Sequence, residues 1–177
     1  MLKNTLKPIH LLLALTLPLI CYADPQADYQ SGLEAYQRED LITAIEALRS
    51  AADSGHGKAQ SLLGYVFDIA EENLQAQHYY QLAAEQGEAE GAYGLGTLYA
   101  TGQGVTQDHE QAVKWYQRAA EAGHLMAIDA LVTAYLDGGL SLSKDRRKAI
   151  LLLERAVELG HSPSLQRLKS IKDESGI

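Results

Sequence analysis

The chain has 177 residues, with 23 acidic against 15 basic side chains and a formal net charge of −8. That balance argues against a nucleic-acid binder, which needs a basic stripe to track phosphates. The one cysteine, Cys21, has no partner within the chain, so packing rather than disulfides must hold the fold.

Residues 1–23 come first and differ from the rest. Lys3 and Lys7 precede an apolar run at residues 11–20, broken only by Thr16, and Cys21-Tyr22-Ala23 ends on a small residue. A basic start, a short apolar core and a small residue at the cut read as a secretory signal. The run falls short of the about 20 residues that a spanning helix needs. The expected mature protein starts at Asp24, is periplasmic or secreted, and has no integral membrane segment. The alternatives are an uncleaved anchor and a lipid on Cys21. Bulky Ile20 stands where lipid processing needs a small residue.

Residues 24–177 read as one repetitive domain. A phrase recurs four times: alanine, three residues, a bulky residue, two residues, alanine, and a glycine four residues on. The copies are Ala44-Leu48-Ala51-Gly55, Ala76-Tyr80-Ala83-Gly87, Ala112-Tyr116-Ala119-Gly123 and Ala149-Leu153-Ala156-Gly160. Their glycines step by 32, 36 and 37 residues, a period that marks a stacked repeat protein. Positions i, i+4 and i+7 share a helix face, and the glycine is the usual helix stop. Another helix precedes each phrase, clearest at Ala92-Tyr93-Gly94-Leu95-Gly96-Thr97-Leu98-Tyr99. The expected units are residues 28–58, 59–90, 91–126 and 127–163, closed by a capping helix at 164–172. In that last helix Leu165, Leu168 and Ile171 should point inward, while Arg167, Lys169 and Lys172 stay in water.

The third unit carries Leu95-Gly96, Tyr99, Gly102, Gly104-Val105 and Asp108, then Ala112, Trp115-Tyr116, Ala119-Ala120 and Gly123. This pattern resembles the Sel-like repeat, a helix-turn-helix relative of the tetratricopeptide repeat. The second and fourth units match more loosely: Val132 replaces a glycine, and Gly138-Gly139 look shifted. The first is closer to an ordinary tetratricopeptide repeat. The resemblance covers roughly residues 28–168. It implies an all-α fold, an α/α solenoid coiled as a right-handed superhelix, used as a non-catalytic adaptor or scaffold. Exported relatives of that kind act in regulation, envelope assembly or toxin immunity.

No catalytic, metal or cofactor site is expected. His56, His124 and His161 each follow a repeat glycine, but neighbouring repeats hold them too far apart for one metal ion. They read instead as turn residues near a helix C-terminus, where an imidazolium is favoured. Gly57-Lys58 lacks the other residues of a phosphate loop, and His109-Glu110 lacks the second histidine of a zinc-protease helix. A cell-wall-related enzyme is the alternative reading, since some β-lactam-hydrolysing relatives share the repeat. Those carry a disulfide in each unit, which this chain does not.

In tetratricopeptide-like superhelices the first helix of each unit lines the concave groove. That pattern assigns Tyr29, Leu33, Ser61, Tyr65, Asp68, Tyr93, Thr97, Asp129 and Thr133 to a partner-binding groove. The occupant would be another protein or a peptide segment. Tyrosine suits such a groove through its rigid area and hydroxyl, although Tyr65 and Tyr93 could equally pack between repeats. Residues 24–90 hold 13 acidic and 3 basic side chains, whereas residues 91–177 hold ten of each. The acidic half is either a solvated face or a field that steers a basic partner.

Overall fold

The computed structural model describes residues 24–175, so the expected leader and its cleavage point lie outside the described residues. Nine helices and no strand make up those residues. They are α1 (Pro25–Gln37), α2 (Leu41–Asp53), α3 (Gly57–Ile69), α4 (Asn73–Glu85), α5 (Ala89–Thr101), α6 (His109–Glu121), α7 (Leu125–Asp137), α8 (Arg146–Glu158) and α9 (Ser162–Ser175). Consecutive helices pack on one another, and α3 also meets α5. The result is an all-α solenoid. Its first helices are α1, α3, α5 and α7, its second helices α2, α4, α6 and α8, and α9 closes the end.

The recurring phrase is a turn as well as a helix face. After α2 the amide of His56 donates to the carbonyl of Ala51 at 3.0 Å, and that of Gly55 donates to Ala52 at 2.9 Å. This paired pattern needs a left-handed residue, and Gly55 supplies it at φ 85°. Glu88, His124 and His161 donate in the same way to Ala83, Ala119 and Ala156. The residue after each glycine thus ends one helix and immediately begins the next. At His56 and His124 the ring Nδ1 accepts the amide hydrogens of Ala59 and Ala127, both at 3.2 Å. This corrects the expectation of imidazolium at a helix C-terminus. The rings cap the following N-terminus, where an acceptor nitrogen is required and a cation is disfavoured.

Glycines inside the helices let the layers approach. Gly32, Gly64 and Gly96 are the eighth residues of their helices, and they face Leu48, Tyr80 and Tyr116, the eighth residues of the partners. An added Cβ at Gly96 would lie 2.6 Å from the Tyr116 ring. In the fourth unit Val132 fills this place against the smaller Leu153. Leu48, Leu63, Leu95, Leu98, Leu131 and Leu153 are almost wholly buried. Each contributes about 1.5–3 kcal/mol of transfer free energy.

Two first-to-second-helix loops are longer. Gly102 and Gly138 both close their helices at left-handed φ, 79° and 80°. Gly138 is therefore the direct counterpart of Gly102 and is not shifted. The residue that departs from the pattern is Leu140, at φ 51°, where the third unit has Gly104 at φ 69°. Asp108 and Asp145 cap α6 and α8. The end helix is longer than expected. Leu168 and Ile171 are buried on it, but Leu165 is exposed, because no further described helix covers its side.

Candidate partner-binding groove

The nine residues assigned from sequence have a regular place. Tyr29, Ser61, Tyr93 and Asp129 are the fifth residues of α1, α3, α5 and α7, and Leu33, Tyr65, Thr97 and Thr133 are the ninth. Asp68 stands one turn beyond Tyr65. These two rows follow one stripe of the first-helix layer, since fifth and ninth positions share a face.

The stripe is not uniform. Tyr29, Leu33, Ser61 and Tyr65 come together in one groove of about 460 Å3, joined by Lys58, Leu62, Glu88, Ala89, Glu90 and His124. Tyr65 is its most open aromatic side chain, at 40 % exposure. Its ring meets Tyr36 edge-on with centroids 6.3 Å apart, so it is supported from α1 without being covered. Ser61 forms part of the wall, and its buried hydroxyl has no hydrogen-bond partner. Glu88 folds over Gly57, where a Cβ would meet its Cγ at 2.8 Å. The sequence alone did not place Lys58, Glu88, Glu90 or His124 in the groove; all lie within the first turn of α3 or at the starts of α5 and α7.

Two tyrosines of the stripe stack on histidines. Tyr29 stacks on His56 at 4.7 Å, and Tyr93 stacks on His124 at 4.5 Å. Each histidine caps the first helix of the next unit, so each stack locks adjacent repeats. His124 accepts at Nδ1, which leaves Nε2 to donate to Glu90 Oε2 at 2.9 Å. That hydrogen bond holds the Glu90 carboxyl below the usual carboxylate range, against the opposing effect of burial. Burial pushes the Asp68 carboxyl up, and a hydrogen bond from Tyr80 partly offsets the rise. Burial and the Asp68 charge push the Tyr80 hydroxyl far up.

The other assigned residues are engaged within the chain. Tyr93 and Asp129 border a separate depression of about 330 Å3 with Leu125, Met126, Ala130 and His161. Thr97 Oγ1 lies 3.2 Å from both the Tyr93 carbonyl and the Tyr116 hydroxyl. Asp129 is ion-paired with Arg167 of α9, which also donates to Thr133 at 3.1 Å. Arg167, expected to stay in water, instead crosses to α7 and occupies the C-terminal end of the stripe. Among the described residues no cluster of three or more histidine, cysteine or acidic side chains is arranged to hold a metal ion. Nor is any helix among them long and apolar enough to cross a membrane.

Comparison with known proteins bears on this arrangement. The family model described as Sel1 repeat matches residues 57–88, 89–124 and 130–161. Two curated proteins, DAP3-binding cell death enhancer 1 of Rattus norvegicus and of Mus musculus, are each 38 % identical over 95 residues. Those residues are 52 % of this chain but 18 % of either relative, so the chain spans under a fifth of their length. A Sel1 repeat protein from Oxalobacter formigenes superposes with a TM-score of 0.76 at 28 % identity, over 85 % of this chain and 46 % of that one. A protective antigen of uropathogenic Escherichia coli strains, displaying an SLR fold, gives 0.60 at 24 % identity over 85 % and 42 %. The second likeness concerns the fold alone. Three tandem matches take up more than half of the residues, and each overlays a helix pair of the solenoid: the chain belongs to the Sel1 repeat family.

Proposed function

We propose that this protein is an exported, non-catalytic adaptor that holds a segment of a partner protein in the groove between α1, α3 and α5. The observation that carries this reading is the open Tyr65 ring, in a groove with Tyr29, Leu33 and Ser61. A rigid aromatic ring at the centre of a cleft is the usual anchor of a protein interface. The family is generally a protein-interaction scaffold, and the rodent relatives carry a binding partner in their name.

The groove favours a basic segment. Glu88 and Glu90 border it against the single cation Lys58, and residues 24–90 carry the whole acidic excess of residues 24–177. Regulation of a sensor, envelope assembly and toxin neutralisation all suit such an adaptor. Export rests on residues 1–23 and places the work in the periplasm or outside the cell.

Affinity capture from an envelope extract, with the protein starting at Asp24 and with its Tyr65→Ala variant, tests the reading. The wild type should retain a specific protein that the variant loses. Equal retention by both would move the interface away from the groove. Intact-mass measurement on protein from the producing cell tests export. A start at Asp24 supports it, and retention of residues 1–23 contradicts it.

A further inference from the structure

The groove owes its opening to a departure from the repeat. Two positions recur at every joint between units: the fifth residue of the first helix and the residue after the repeat glycine. At the first and third joints they are tyrosine and histidine, and the rings stack, Tyr29 on His56 and Tyr93 on His124. At the second joint they are Ser61 and Glu88, and both line the groove of about 460 Å3. A short side chain and a flexible one stand there in place of two rings.

Both of these residues are left without a partner. The Ser61 hydroxyl is buried and makes no hydrogen bond. Glu88 begins α5 as His56 begins α3 and His124 begins α7, but its side chain makes no capping hydrogen bond. It folds against Gly57 and has no ion-pair partner among the described residues. Glu90, by contrast, is taken up by His124, and Lys58 is exposed at the rim. An unpaired carboxylate beside an unsatisfied buried hydroxyl calls for a cationic donor.

The fourth joint shows what such a donor is. Its pair is Asp129 and His161, again without two rings to stack, and an arginine of the chain itself completes it. Arg167 is ion-paired with Asp129 and donates to the Thr133 hydroxyl at 3.1 Å. One guanidinium thus satisfies a carboxylate and a hydroxyl on the first-helix stripe. The second joint offers the same two groups, with the open Tyr65 ring beside them. A guanidinium is flat, presents its donors as a fork and stacks on aromatic rings, whereas an ammonium is a hydrated point charge. We propose that the second joint is a socket for an arginine of the partner segment, which enters between Ser61 and Glu88, donates to both and lies along Tyr65. This deepens the groove reading and rests on it. Ser61 and Glu88 become the residues that set specificity.

An NMR titration of the isotope-labelled protein tests this. The probe is a short capped peptide with an arginine between leucines and glycines. Its analogues carry citrulline, which keeps the shape and loses the charge, or lysine, which keeps the charge and loses the fork. The arginine peptide should shift the amides of Ser61, Tyr65 and Glu88 and bind at least about tenfold more tightly than either analogue, as charge-assisted contacts are lost. Glu88→Gln should weaken its binding by about tenfold. Ser61→Tyr combined with Glu88→His restores the residue pair of the neighbouring joints, so it should keep the fold and abolish binding. Thermal melts establish folding, and Glu88→Gln with the peptide series on the wild type decides the matter if the double variant unfolds. No binding of the arginine peptide at millimolar concentration overturns the proposal, as do shifts confined to another face. So does a citrulline or lysine peptide that binds as tightly, or a folded double variant that binds like the wild type. Equal binding of all three peptides at the groove would sink the socket alone, because capture with Tyr65→Ala judges the adaptor reading separately.

Discussion

Tyr80 shows how one side chain decides what its neighbours can be. Its ring lies between Gly64 of its own unit and Gly94 of the next, where an added Cβ would come within 2.7 and 2.5 Å. In an open helix Gly→Ala stabilises by about 1 kcal/mol. Here the methyl would collide with a ring that cannot leave, so Gly94→Ala should destabilise by about 1–3 kcal/mol. Gly139→Ala is the control, because its new methyl would sit at an ordinary 3.6 Å. Urea unfolding of the two variants checks this, and equal midpoints would mean that the ring gives way. Glu90 supplies a pH test. Its folded pKa lies below the unfolded value, through the hydrogen bond from His124. The stabilisation is therefore present above the ordinary carboxylate pKa and disappears as the pH falls through the lowered value. An NMR titration should place the Glu90 midpoint below 4.5 and move it upward in His124→Ala. An unchanged midpoint would remove His124 as the cause. The sequence made the tyrosines and glycines visible. It hid the histidine caps, because the glycine before each histidine signals the end of one helix and says nothing of the next.

At the scale of the element, the repeat was legible because its phrase encodes packing and turn together. The alanines seat the helix, and the last of them offers the carbonyl that closes the turn. The first-to-second-helix turns of the first two units use the same hydrogen bonds without glycine. Glu39 and Glu71 take the left-handed place at φ 62° and 61°. A side chain there costs about 1–2 kcal/mol, so Glu71→Gly should raise stability by about 0.5–1 kcal/mol after the added freedom of the unfolded chain is subtracted. A thermal melt reads the change, and a lowered melting temperature would contradict the strain. Nothing local marks these turns, which is why the first unit looked like a different repeat. The role of Arg167 was equally hidden. It reaches residues 34 and 38 positions earlier, and only the superhelix brings them together. Hence the C-terminal end of the assigned stripe, Asp129 and Thr133 on α7, is filled from within, and the open groove lies toward the N-terminus.

For the molecule as a whole, charge and the open groove coincide. Glu88 and Glu90, the last two acidic residues of the acidic stretch 24–90, border the groove that holds Tyr29, Leu33 and Tyr65. Exposed charges act mainly on encounter, so association of a basic partner should slow as salt rises while dissociation changes less. Glu88→Lys together with Glu90→Lys should slow association further in stopped-flow mixing. An on-rate indifferent to both would leave the acidic face as a solubility feature. Tyr65 and Tyr93 now differ in expectation. Tyr93 is held between His124 and Tyr116, so its truncation should lower stability, whereas Tyr65 is open and its truncation should lower affinity. The most direct measurement of the groove claim is photo-crosslinking in the producing cell. A benzophenone side chain would stand in place of Tyr65 in one strain and of exposed Leu151 on α8 in another. The groove account predicts one discrete cross-linked protein from position 65 and none from position 151. The same product from both positions, or a product from 151 alone, would contradict it.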